Sequence, residues 1–147
     1  MRSLRETIWA IHQEESSIDQ VLQRLQESAK AALQQANINF TYALPNSSFY
    51  LSPAQTLHLY RLLKEALNNS VKHAKCKQIE VKLIENVKNV LLRYTDDGIG
   101  FPKEENLRLG YGLNNIKERA KLAGFTLHIE ASAGYILEIQ IPIKVQK

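Results

Sequence analysis

Two segments of this chain gather residues able to do chemistry. In Glu65-Ala66-Leu67-Asn68-Asn69-Ser70-Val71-Lys72-His73, the residues Glu65, Asn69, Lys72 and His73 stand at offsets of four, seven and eight. On a helix these four fall within about a 100° arc. Leu59, Leu63, Ala66, Leu67, Val71 and Ala74 fall on the opposite side, which would face a core. A mid-helix amide oxygen such as that of Asn69 suits Mg²⁺, a hard cation that keeps several waters and bridges substrate phosphates. Glu65, one turn earlier, can orient or deprotonate an attacking hydroxyl, water or imidazole. Lys72 and His73 can neutralise phosphate oxygens. The second segment is Asp96-Asp97-Gly98-Ile99-Gly100-Phe101, an acidic pair running into Gly-x-Gly after an apolar strand. A carboxylate at Asp96 can accept a hydrogen bond from an exocyclic amine such as that of adenine. Gly98 and Gly100 permit close backbone approach. Farther on, Gly110-Tyr111-Gly112-Leu113 immediately precedes a helical pattern, and free amides at a helix start bind anions. Together these residues suggest a pocket for a magnesium nucleotide.

The elements that would position them follow from the apolar spacing. Leu4, Ile8 and Ile11 make a helical stripe to about Gln13. Ser16 or Ser17 can cap a second helix, in which Ile18, Val21, Leu22, Leu25, Ala29 and Leu33 keep helical spacing to about Ala36. Ile38 to Ala43 alternates as a half-buried strand does, and Leu44-Pro45-Asn46 turns it. Ser52-Pro53 starts the third helix as N-cap and first helical residue, and that helix runs to about Ala74. Ile79, Val81 and Leu83, then Val90, Leu92 and Tyr94, form a hairpin across Glu85–Asn89. Residues 101–110 make a short polar loop. Leu113 to Leu122 is helical and ends at Gly124 as a C′ glycine. Phe125–Glu130 and Tyr135–Ile141 are a final strand pair turning at Ser132-Ala133-Gly134. This order predicts an α+β, two-layer sandwich with helices packed on one face of a mixed sheet.

Bulk properties exclude several classes of function. The 147 residues are enough for one domain with a real core, and 44% hydrophobic against 23% charged residues reads as folded throughout. The net charge of +4 is mild, and no aromatics interleave with the scattered lysines and arginines, which argues against direct nucleic-acid binding. One cysteine, Cys76, permits neither an internal disulfide nor a multi-cysteine metal site. No apolar run approaches the ~18 residues of a membrane span, and the first residues open no signal peptide. The expected location is therefore cytoplasmic, without membrane contact by this segment. Neither Gly-x-Gly extends to the dinucleotide fingerprint, and no P-loop sequence is present.

The run from Glu65 to Ala74 resembles the N box of the ATP-binding domain of sensor histidine kinases, in the superfamily that includes Hsp90, type II topoisomerases and MutL. Asp96 to Phe101 resembles that family's first glycine box, and Gly110-Tyr111-Gly112-Leu113 its second. Continuing through Asn114-Asn115-Ile116-Lys117-Glu118-Arg119-Ala120, the chain is similar to a short-lid subgroup paired with response regulators of the LuxR-type DNA-binding class. Leu4 to Ile11 resembles the end of that subgroup's dimerisation hairpin. The resemblance implies a Bergerat-type fold of about five strands covered by three helices, with residues 1–14 closing a dimerisation hairpin and residues 15–147 forming the ATP-binding domain. It implies ATP and Mg²⁺ as cofactors, with Mg²⁺ held by Asn69 and adenine read by Asp96. Glu65 would be the catalytic residue. Lys72, His73, Gly98, Ile99, Gly100, Gly110, Tyr111, Gly112 and Leu113 would complete the nucleotide site, and residues 101–110 would be a mobile lid.

The chain departs from the family's pattern in two places. The family's phosphoacceptor histidine lies upstream of the segment that Ile8-Trp9-Ala10 resembles, and His12 has no acidic residue directly after it in that pattern. The acceptor is therefore expected on a dimerisation domain of a larger sensor, soluble or membrane-anchored, and this chain alone is not expected to phosphorylate itself. Before the last strand, Ala133-Gly134-Tyr135 stands where the family often has Gly-x-Gly-Thr, so a threonine hydroxyl is missing. Two other functions fit the same boxes: a stand-alone protein-serine kinase of the anti-sigma type, and a non-catalytic module that responds to nucleotide.

Overall fold

The computed structural model describes residues 16–45, 47–73, 75–99, 110–130 and 134–142. In chain order the elements are β1 (Ser16–Ser17), α1 (Ile18–Gln35), β2 (Asn39–Ala43), β3 (Tyr50–Leu51), α2 (Pro53–His73), β4 (Gln78–Glu85), β5 (Asn89–Asp96), α3 (Gly110–Ala123), β6 (Thr126–Glu130) and β7 (Tyr135–Pro142). Five strands form one sheet in the order β2-β4-β5-β7-β6. β2 runs parallel to β4, and the other neighbours are antiparallel. A parallel pair needs a long crossover, which here contains α2. The α+β sandwich of three helices and a five-stranded mixed sheet is the expected one. A small pairing of β1 with β3 was not legible in the sequence, because neither two-residue strand is long enough to show a period.

Local signals start and stop the helices. Ser17 caps α1 in a reciprocal box with Gln20. Ser52 makes the same box with Gln55 ahead of Pro53, as the N-cap reading expected. α3 stops at Gly124, whose φ is +77°, with Phe125 N–H donating to the Ala120 carbonyl and Gly124 N–H to that of Lys121. α1 stops the same way, with Asn37 at φ +55° in place of glycine.

The core lies between the helices and one face of the sheet. Pairing across the sheet aligns inward residues in rows: Tyr42, Val81, Tyr94, Leu137 and Ile129 form one. The next row toward the C-terminal end of β5 is Phe40, Ile79, Asp96 and Tyr135. A carboxylate thus occupies a place that the strand's alternation otherwise fills with Val90, Leu92 and Tyr94, all buried. The other face is polar and carries the Arg93–Glu138 pair at 3.0 Å. Among the described residues, no helix is long and apolar enough to cross a membrane.

Candidate functional site

The buried polar side chains of the described residues are Ser16, Thr56, Asn69, Ser70 and Asp96. The last three come from the C-terminal half of α2 and the end of β5. Asp96 is 7% exposed and its carboxylate is held by three donors. Ser70 Oγ donates to Oδ2 at 2.6 Å, while Gly98 N–H and Tyr135 N–H donate to Oδ1 at 3.0 and 3.1 Å. Buried carboxylates persist only when their oxygens are satisfied in this way.

Gly134 makes one of these bonds possible. It lies directly before Tyr135 at φ +86°, and a Cβ built on it would stand 2.7 Å from the Asp96 carbonyl oxygen. Only glycine fits so close to the main chain of β5 at that φ. The Tyr135 side chain, which stands where the resembled family often has threonine, is buried edge-on to Tyr94, with ring centroids 5.9 Å apart. Burial, then the nearby charges of Asp96 and Glu65, raise its phenol above the ordinary range, so Glu65 and Asp96 both stand in electrostatic reach of this ring. The contribution of position 135 to Asp96 is its main-chain amide.

Asp97 points to the opposite side of the strand from Asp96 and serves another purpose. Its Oδ1 accepts the N–H groups of Lys77 and Gln78 at 2.8 and 2.9 Å, which holds the start of β4 and the residue before it. These two bonds lower its carboxyl below the usual carboxylate value. The acidic pair therefore divides into one inward carboxylate and one structural clamp.

On α2, Glu65 and His73 are half-buried and Lys72 is exposed. Asn69 was expected on that displayed face, but it is only 5% exposed, and its Nδ2 has no hydrogen-bond partner among the described residues. The expected arc is correct in angle. The core reaches farther around α2 than the apolar residues alone imply, because Ser70 beside Asn69 is also buried. Gly98 bonds to Asp96, and Ile99 is exposed.

The second glycine pair needs a correction. Gly110, Tyr111, Gly112 and Leu113 do not precede the helix: they are its first turn, since α3 begins at Gly110. Glycine costs little there, because the first four N–H groups of a helix have no intrahelical partner in any case. Those free amides belong to these four residues rather than to a loop before them. Gly100, residues 101–109 of the expected lid, the 1–14 segment with His12, and the Ser132-Ala133 turn lie outside the described residues.

Sequence reasoning missed Ser70, Tyr94 and Gly134 as parts of the site. One signal was available. Period-two alternation from Val90 puts Tyr94 and Asp96 on one face, and a Ser directly after Asn69 on a helix turns toward that same layer.

Residues 54–145 match the family model described as "Histidine kinase-, DNA gyrase B-, and HSP90-like ATPase". The chain is 34% identical over 122 residues to the sensor histidine kinase ComP of Bacillus subtilis, a match that covers 80% of this chain and 16% of ComP. It is 35% identical over 88 residues to the sensor protein VraS of Staphylococcus saprophyticus, covering 58% of this chain and 25% of VraS. The chain thus spans a quarter or less of the length of these relatives. Its fold is similar to that of the histidine kinase AdeS of Acinetobacter baumannii, with a TM-score of 0.74 at 16% identity over 97% of this chain and 76% of that one.

Proposed function

Because this chain belongs to the histidine kinase-, DNA gyrase B- and HSP90-like ATPase family, we propose that it is the Mg·ATP-binding catalytic domain of a two-component sensor histidine kinase. The γ-phosphoryl group would pass to a histidine on a dimerisation domain. The observation that carries this reading is the inward carboxylate of Asp96, fixed by three donors at the end of a central strand. A buried, pre-oriented acceptor at that position is what reading an exocyclic amine requires.

Each residue has a part in this proposal. Asp96 accepts the adenine amine, and Gly98, Ile99 and Gly100 bring main chain against the base. The first-turn amides of Gly110, Tyr111, Gly112 and Leu113 receive phosphate oxygens, helped by the positive end of the α3 dipole. Lys72 adds positive charge at the phosphates, and His73 can offer them a ring N–H. Glu65 orients or takes the proton of the attacking imidazole. Asn69 would hold Mg²⁺ through its amide oxygen; its Nδ2 has no hydrogen-bond partner among the described residues. Among the described residues no three His, Cys, Asp or Glu converge as metal ligands, so Asn69 would be this chain's own contribution to holding the cation. A cation held there would supply positive charge to neutralise the phosphates.

The finer reading extends to partners. The similarity of the Leu113–Ala120 run supports a short lid and a response regulator of the LuxR-type class, and that of Leu4–Ile11 supports residues 1–14 as the end of a dimerisation hairpin. We place the domain in the cytoplasm, as part of a larger sensor. Direct contact with nucleic acid or membrane is not part of this reading. The test is transfer in trans: this chain, radiolabelled ATP with magnesium, and the parent's dimerisation hairpin as a separate polypeptide. Acid-labile label should accumulate on the hairpin and not on this chain alone. Label that is acid-stable, or absent while ATP still binds, would refute histidine phosphorylation.

A further inference from the structure

A serine in mid-helix commonly returns its hydroxyl to the carbonyl four residues back, which for Ser70 is that of Ala66. Ser70 instead donates to Asp96 Oδ2 at 2.6 Å. Behind it, the Tyr94 hydroxyl donates to Ser70 Oγ at 2.8 Å and lies 3.4 Å from the Ala66 carbonyl oxygen. The shorter distance marks the stronger bond. Both side chains are fully buried, so water does not compete for these groups. Burial also holds the Tyr94 phenol well above its ordinary value, which keeps it a donor at any working pH.

A serine hydroxyl has one proton and two lone pairs. The tyrosine proton fills one lone pair, which leaves the serine proton facing the carboxylate. Donation therefore runs in one direction, from Tyr94 to Ser70 to Asp96. The carboxylate has about four acceptor sites. Gly98 and Tyr135 N–H groups take those of Oδ1, and Ser70 takes one on Oδ2. One acceptor site on Oδ2 is left.

We propose that Ser70, held by Tyr94, is a positioning residue for base selection: it fixes the rotation of the Asp96 carboxylate so that the one free acceptor site on Oδ2 meets an exocyclic amine. This deepens, and rests on, the reading of Asp96 as the group that recognises adenine. With every other site on the carboxylate occupied, a purine lacking the amine leaves the second acceptor site of Oδ2 unfilled, and one bearing a carbonyl there meets acceptor with acceptor. Removing the Tyr94 hydroxyl frees the serine to turn back to Ala66, and the carboxylate loses one of the three donors that set its rotation.

The test compares ATP with purine riboside triphosphate, which lacks the exocyclic amine, by calorimetry with magnesium on the full chain. Wild type should prefer ATP. Ser70→Ala should lose about tenfold in ATP affinity, the weight of one hydrogen bond to a charged group, and little toward the analogue. Ser70→Thr, which keeps the hydroxyl, should retain the preference, and Tyr94→Phe should lose part of it. A purely structural role would weaken both nucleotides equally, and that result overturns the proposal. Wild type binding the two nucleotides equally would instead overturn the adenine reading of Asp96 itself. Should Ser70→Ala not fold, Tyr94→Phe carries the measurement, and an unchanged preference in that variant refutes the relay.

Discussion

Replacing Asp96 by Asn separates recognition from folding. The amide has the carboxylate's shape and can turn its single oxygen toward the N–H groups of Gly98 and Tyr135, preserving both bonds to Oδ1. Its Nδ2 then takes the place of Oδ2. Ser70 must reverse its hydroxyl, because the group facing it at 2.6 Å is now a donor. Tyr94 already donates to the same oxygen, so the serine would accept from both and its own proton would lose Asp96 as its acceptor. An incoming adenine amine also meets a donor instead of an acceptor. Losing one charge-assisted bond and leaving a buried donor unpaired costs about 1.5–3 kcal/mol, roughly a 10- to 150-fold rise in Kd for ATP. Asp97→Asn keeps one oxygen for the Lys77 and Gln78 amides and touches nothing inward, so ATP affinity should stay within about threefold of wild type, under 0.7 kcal/mol. Calorimetric titration of both variants with Mg·ATP measures the contrast. A larger loss at Asp97 than at Asp96, or an Asp96→Asn Kd within threefold of wild type, would refute the assignment of the two carboxylates.

Gly134→Ala should be costly, because its Cβ would press on a main-chain oxygen at 2.7 Å and at a positive φ. About 2–4 kcal/mol of lost stability corresponds to a fall in Tm of roughly 5–15 °C for a chain of this size, and a calorimetric melt within 2 °C of wild type would show that the strand end yields freely. Asn69→Ala should remove the magnesium-dependent part of ATP binding, and titrations with and without the cation would expose the idea as wrong if the dependence survives. Cys76 is buried, and burial followed by the charges of Asp96 and Asp97 pushes its thiol up to about 11, so it should resist alkylation at pH 8 until the chain is unfolded in urea. Rapid labelling of the native protein would contradict that burial. The lowered Asp97 carboxyl contributes stability above the ordinary carboxylate value of 3.8, and that contribution disappears as pH falls through the folded value below it. Asp97→Asn should flatten this acid limb of a stability-against-pH curve, and an unaltered limb would assign it to other groups.

What the sequence determined by itself was local and periodic. The serine caps before Ile18 and Pro53, the glycine stop at Gly124 and the alternation of β4, β5 and β7 are set by nearest neighbours along the chain, and all are present in the fold. The spacing of Glu65, Asn69, Lys72 and His73 placed them on one arc of α2 because helical angles depend on nothing beyond the helix. Burial is a different matter, since it is decided by whatever packs alongside. Only the tertiary structure buried Asn69 and Ser70, turned Asp96 inward while leaving Asp97 to hold β4, and started α3 three residues earlier than its apolar pattern did. The bonds to Asp96 join residues 26 and 39 positions away in the chain, Ser70 and Tyr135. No local pattern can carry such a pairing, because sheet register and helix docking bring those donors together only after the core has closed.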